Sequence, residues 1–261
     1  MAYADTDGAA RWGLEHPGLP IEEDRAGRWL VNTPLLEHDH PKIRLQAARL
    51  TQLKADESAK AVACFQFVRA LHFKVARDPD RVTSCAVLRE GAGDWFTKAT
   101  LMVSLLRALR IPARVRFVSI APGHLRGLAG VREPAVGHPY TEVRLHNQWL
   151  GVDAYAVDLR LRYAARARLA LEGRESGYMT RMGGGLEWDG SCSAFSLFGR
   201  DEPACLPWTD LGAFDDVAQF RDRAGTAGSC YPGKGPLGTA LINHRISALR
   251  AARVAAAAAS A

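Results

Sequence analysis

Apolar positions recur at helical spacing in the first part of the chain. Ile43, Ala47, Leu50 and Leu53 share one face and predict a helix over 43–53. Asp56 is a natural cap for a second helix, whose broad apolar surface comprises Ala59, Val62, Ala63, Phe65, Phe67, Val68 and Leu71. Arg77-Asp-Pro-Asp80 reads as a turn. Gly91 and Gly93 then punctuate a loop, Asp94 reads as an N-cap, and Ala99, Met102, Val103, Leu106 and Leu109 fall on one face before Pro112 ends the run. This helix is so apolar for its length that it is expected to cross the core, with Met102 a core side chain.

After Pro112 the period changes from helical to alternating. Three strands are predicted, Arg114–Ile120, Tyr140–Leu145 and Trp149–Val152, with His146-Asn-Gln148 short enough to be a hairpin loop. A helix is expected from Ala154 to Ala170 and an irregular, Gly/Pro-punctuated stretch over 173–238. A last helix is expected around Thr239–Val254, running into a frayed Ala-rich tail, Ala255–Ala261. No internal repeat is visible. Residues 1–30, rich in Gly, Pro and charge, read as a loosely organised leader. Residues 31–220 form the main domain, and 221–261 a C-terminal extension.

Composition narrows the class without naming a function. The 261 residues are 48% hydrophobic and 24% charged, which excludes wholesale disorder, a coiled coil and a collagen-like rod. No apolar run approaches the roughly 18–20 residues that cross a bilayer, and the start lacks a basic region followed by an apolar one. A cytoplasmic protein without membrane partners is expected. The net charge is +6, and only six of the 34 basic residues are lysine, leaving 28 arginines. They are scattered, densest at Arg160, Arg162, Arg166 and Arg168, and alanine is abundant as well. Biased base composition therefore explains them as well as nucleic-acid binding does. Five cysteines (64, 85, 192, 205 and 230) are odd in number and form no CxxC, which argues against a disulfide framework or zinc. Cys64 and Cys85 read as core residues. Glu37-His-Asp-His40 offers ligand-type side chains, but neighbours on an extended chain point to opposite faces, so no metal is expected. Gly233-Lys-Gly-Pro-Leu-Gly238 matches GxGxxG only formally, since no apolar strand precedes it.

One constellation carries chemistry. The N-terminus of the 95–109 helix offers unpaired N–H groups and partial positive charge, where a thiolate or an oxyanion would be stabilised. His138 opens the strand His-Pro-Tyr-Thr-Glu-Val, and Asp153 closes Trp-Leu-Gly-Val-Asp. Across a short hairpin, positions 15 apart can meet at one end of a sheet, as a histidine and its orienting carboxylate must. Leu105-Leu-Arg-Ala-Leu-Arg-Ile-Pro-Ala-Arg114, His138 with Glu142, and Trp149 to Asp153 resemble, in order and spacing, the transglutaminase-like superfamily, a branch of the papain-like cysteine hydrolase and acyltransferase fold. Thr33-Pro-Leu-Leu-Glu-His-Asp-His-Pro41, Leu186-Glu-Trp-Asp and Gly212-Ala-Phe-Asp-Asp resemble one bacterial subgroup of it. The resemblance covers residues 30–220. It implies an α+β fold with a central helix on an antiparallel sheet and additional helices.

The resemblance also sets the family's cysteine nucleophile at position 95, four residues before Ala99, where this chain has tryptophan. Indole offers only an N–H donor and cannot form a thioester. Loss of a nucleophile from such a unit costs on the order of a million-fold. Cys85 and Cys192 are distant alternatives, and Thr97 is expected to face elsewhere. Two readings follow. In the first, which is preferred, a cofactor-independent enzyme uses His138 and Asp153 as general acid and base on a small acyl, amide or carbonyl substrate. Trp95 then walls the pocket, while Tyr140 and Asp94 line it. In the second, a retired enzyme serves as a binding or scaffold module, with Trp95 plugging the old cleft. An open pocket between Trp95 and His138 would favour the first.

Overall fold

The structure is a computed structural model and describes residues 26–130, 135–197, 209–224 and 235–259. Helix α1 (Pro41–Thr51) is entered through His40, whose Nδ1 accepts from Lys42 N. Asp56 caps α2 (Glu57–Ala70) by accepting from Ala59 N. A two-residue strand β1 (His72–Phe73) pairs in parallel with β2 (Ala92–Gly93). Between them lies α3 (Ser84–Glu90), which the apolar pattern does not announce; Thr83 caps it and Gly91 ends it in the left-handed conformation, φ 64°. The central helix α4 (Trp95–Ala108) is buried along its whole length from Trp95 to Arg107. It packs on α1, α2 and α3 on one side and on the main sheet on the other.

That sheet is antiparallel, in the order β5-β4-β3-β8, from β3 (Ala113–Ile120), β4 (Val136–Leu145), β5 (Gln148–Val152) and β8 (Thr209–Phe214). The fold is α+β, as the pattern and the resemblance imply. The β4–β5 turn falls on His146 and Asn147, both at positive φ, which is what a tight right-twisting hairpin requires.

Several elements differ from the sequence expectation. Residues 154–158 form a turn rather than the start of a helix, and α5 (Leu159–Leu171) begins only at Asp158, which accepts from Leu161 N. The stretch expected to be irregular holds a small hairpin, β6 (Ser176–Gly177) and β7 (Thr180–Arg181), then β8 and α6 (Val217–Ala224). The last helix, α7 (Pro236–Ala259), runs through most of the tail expected to fray. Within the expected leader, Trp29 is buried, and Arg114 lies between its ring and that of Trp149, 5.0 and 4.0 Å from the two centroids. Residues 1–25 and the Gly233–Lys234 part of the GxGxxG match lie outside the described residues. Among the described residues no helix is long and apolar enough to cross a membrane.

Candidate active site

The mouth of α4 is held by its own cap. Asp94 Oδ1 accepts from Phe96 N and Thr97 N at 3.0 and 2.9 Å, and Oδ2 accepts from Ala76 N at 2.9 Å. Thr97 Oγ1 returns the contact by accepting from Asp94 N at 2.9 Å, completing a capping box. Thr97 is therefore a structural residue. The helix end that would greet an oxyanion instead greets the buried carboxylate of Asp94, which the helix dipole stabilises.

Trp95 follows at the first helical position. Its indole is 1% exposed and stacks on Phe73, with centroids 5.4 Å apart and planes inclined by 17°. Phe73 belongs to β1, so the short β1–β2 pair presses one aromatic ring onto the helix mouth.

His138 and Asp153 meet. The β3–β4–β5 register brings them to one end of the sheet, where His138 Nε2 lies 3.0 Å from Asp153 Oδ2 with both side chains buried. The other carboxylate oxygen of Asp153 accepts from Ser196 N at 2.5 Å. Ser196 is a positioning residue that the sequence did not reveal, because it sits in a stretch with no periodic signal. Tyr140 is core: its ring is 2% exposed and meets Phe195 edge-on at 5.2 Å, and burial pushes its phenol well above the usual range.

Two more buried titratable groups frame the site. His124 is buried, and burial drives its pKa down to about 4, with the nearby His138 and Arg181 acting in the same direction and Asp153 opposing. Lys98, one turn into α4, is wholly buried and donates through Nζ to Leu71 O at 2.7 Å and Tyr155 O at 3.3 Å. Desolvation lowers its pKa to about 7 against the opposing pull of Asp158. A lysine inside an apolar helix and a histidine in a Pro-Gly loop carry no local sequence signal of their burial.

The alternative thiols lie apart from this arrangement. Burial raises the Cys64 pKa to about 12 and, with Glu37 beside it, that of the half-buried Cys85 to about 11. Cys192 is exposed. Cys205 and Cys230 lie outside the described residues. In the Glu37–His40 run, His38 pairs with Asp39 at 3.4 Å, Glu37 accepts from Cys85 N, and His40 caps α1. Among the described residues no three ligand-type side chains gather as a metal site would need.

Residues 45–154, which span α1 through β5 and both members of the His138–Asp153 pair, match the core profile of the transglutaminase-like superfamily. This stretch is a transglutaminase-like domain. No curated protein is similar enough to match the chain. Among solved structures, this chain is similar to a provisionally named cysteine protease from Cytophaga hutchinsonii, at 20% identity and TM-score 0.42, over 54% of this chain and 46% of that one. It is also similar to a provisionally named protease from Parabacteroides distasonis, at 19% identity and TM-score 0.33, over 48% of this chain and 24% of that one. The matched region thus spans about half of the first relative and a quarter of the second.

Acidification provides a test of the electrostatics around the His138–Asp153 pair. The unfolded chain binds a proton at His124 near pH 6.5, whereas the folded chain does so only near 4. Between those values the unfolded state holds more protons, so stability falls as pH drops through the window, by about 3 kcal/mol in all. His38, also lowered by burial, adds to the fall with the same sign. Urea unfolding of wild type and His124→Gln at pH 6.5 and 4.5 should show a markedly smaller loss in the variant. Equal losses would place His124 in a solvated environment.

Proposed function

We propose that this protein is a retired transglutaminase-like module, one that keeps the fold but not the acyl-transfer chemistry and acts by binding. The observation that carries this reading is the burial of Trp95: its indole stacks on Phe73 at the position the resemblance assigns to the nucleophile. An indole in that place supplies no electron pair to attack an acyl carbon. Three further features support the same reading. His138 and Asp153 are as deeply buried as Trp95, the N–H groups at the helix mouth are engaged by Asp94, and Tyr140 is packed in the core.

The intact His138–Asp153 contact of 3.0 Å favours a second reading, an enzyme in which His138 is a general base. Its substrate would be a small acyl, amide or carbonyl compound. The experiment that separates the two assays wild type and His138→Gln against an activated ester, an anilide and a glutamine peptide with an added amine. Retirement predicts the same background rate for both proteins on all three. Turnover that wild type supports and His138→Gln loses would select the enzyme.

A further inference from the structure

A pocket of about 870 Å³ opens between the first half of α2 and the segment 183–195, and neither Trp95, His138 nor Asp153 lines it. This is the size of a small-molecule site. Its lining includes the apolar residues Val62, Ala63, Trp188 and Phe195. Trp188 is held edge-on to Phe65 at 5.7 Å, and its indole N–H donates to Cys192 O at 2.7 Å.

The loop wall is built rather than loose, although it starts with Gly183-Gly-Gly185. Arg162 donates to Gly185 O and Arg69 to Leu186 O. On the other arm Gly185 N donates to Phe195 O at 2.9 Å, and Gly151 N to Ser193 Oγ at 3.0 Å. The two arms approach so closely that a Cβ on Gly184 would lie 2.0 Å from Ser196 O. A pocket fixed in this way needs little ordering when a ligand enters.

Its lip has the opposite sign to the chain. Its exposed charged lining is Asp56, Glu187 and Asp189 with Lys54, in a protein of net charge +6. Arg69 takes up Glu187 at 2.8 Å, which leaves Asp56, Asp189 and Lys54 as the other charged residues among the described lining. Among the described residues each aspartate is engaged through Oδ1, Asp56 by Ala59 N at 2.7 Å and Asp189 by Ser191 N and Oγ at 2.9 and 2.7 Å. A cation with a flat apolar body can therefore lie against Val62 and the partly exposed Phe195 and place its charge beside the lining carboxylates.

We propose that this pocket binds a small organic cation of the amidine or guanidine type, either free or as the side chain of a peptide. The proposal gives the binding role above a location, and rests on that reading for its biological sense.

The test uses three probes of one shape and different charge, benzamidine, benzamide and benzoate, titrated into the full ¹⁵N-labelled chain. Benzamidine should bind roughly tenfold more tightly than benzamide, and benzoate should give no saturable shift. The shifted amides should lie within 58–66 and 187–195. Asp189→Asn, which keeps the side-chain oxygen that Ser191 uses, should weaken benzamidine about fivefold and leave benzamide unchanged. Equal affinities for the three probes, no binding of benzamidine, or shifts mapping outside the pocket would each overturn the proposal. None of these outcomes touches the retirement of the family site, which the His138→Gln assays decide separately.

Discussion

Replacing Trp95 with alanine should lower stability by about 3–5 kcal/mol, the usual cost of deleting a large aromatic side chain from a packed core. The ring is 1% exposed and stacked on Phe73, so its removal leaves a void lined by Phe73 and Phe96 rather than a site open to water. For a domain of this size each kcal/mol shifts Tm by roughly 2–4 °C, so a loss on the order of 10 °C should be visible in a thermal melt. A tryptophan that walled an open substrate pocket would have one face in solvent, and its removal would cost on the order of 1 kcal/mol. Urea titration of the two proteins therefore weighs the two readings by magnitude alone.

The second large effect concerns Lys98. The unfolded chain keeps this proton until pH 10.5, whereas the buried amine releases it at about pH 7. Between those values the unfolded state holds more protons, so wild-type stability rises with pH. The rise should amount to about 2–3 kcal/mol between pH 7 and 9. Toward pH 9 Cys64 and Cys85, whose thiols burial raises, begin to oppose it. Lys98→Met removes the titrating group, and the difference between the two curves isolates it. The variant should show no rise over pH 7–9, where wild type climbs. Parallel curves would mean that the ammonium is charged and well solvated in the folded chain.

How much of this could be read from the chain follows the strength of local signals. The central helix was legible because Gly93 and Asp94 open it, Pro112 follows it, and its apolar residues saturate one face. The His138–Asp153 contact was legible because the short loop read at His146-Asn-Gln148 makes a hairpin, and hairpin register fixes which side chains share an end. The short α3 escaped because its seven residues show too little periodicity to stand above the surrounding loop. Helix α5 was read five residues too early, since Ala154 and Ala156 fit a helix in propensity, while Asp158, an N-cap, sits where the helix starts. Strand β8 lies at the edge of the sheet, half exposed and bent at Gly212 (φ 99°), so it carries no run of alternating apolar residues.

The arginine surplus illustrates a different limit. Scattered along the sequence, these residues suggested biased composition or a polyanion surface. In the fold, several serve as clamps on backbone carbonyls: Arg107 on Ala113 O and Val31 O, Arg162 on Gly185 O and Ala154 O, Arg166 on Arg181 O, and Arg245 on Leu128 O. A planar fork of donors can satisfy two loop carbonyls at once, which lysine cannot do with the same geometry. Such a role is invisible in sequence where the carbonyl lies far along the chain, as for Arg107 with Val31 O and Arg245 with Leu128 O. The same holds for Asn243 on α7, whose side chain accepts from Val75 N and donates to Val75 O, both at 2.9 Å. It ties the last helix to the segment that positions Phe73 against Trp95.

Chemical rescue offers the sharpest test that Trp95 fills the family site. Alanine at position 95 removes an indole and leaves its shape behind, and apolar cavities of that kind bind the missing fragment. Millimolar indole should raise the melting temperature of Trp95→Ala while leaving that of wild type unchanged. A variant that melts like wild type and ignores indole would show that position 95 opens onto solvent, and that the site is not closed.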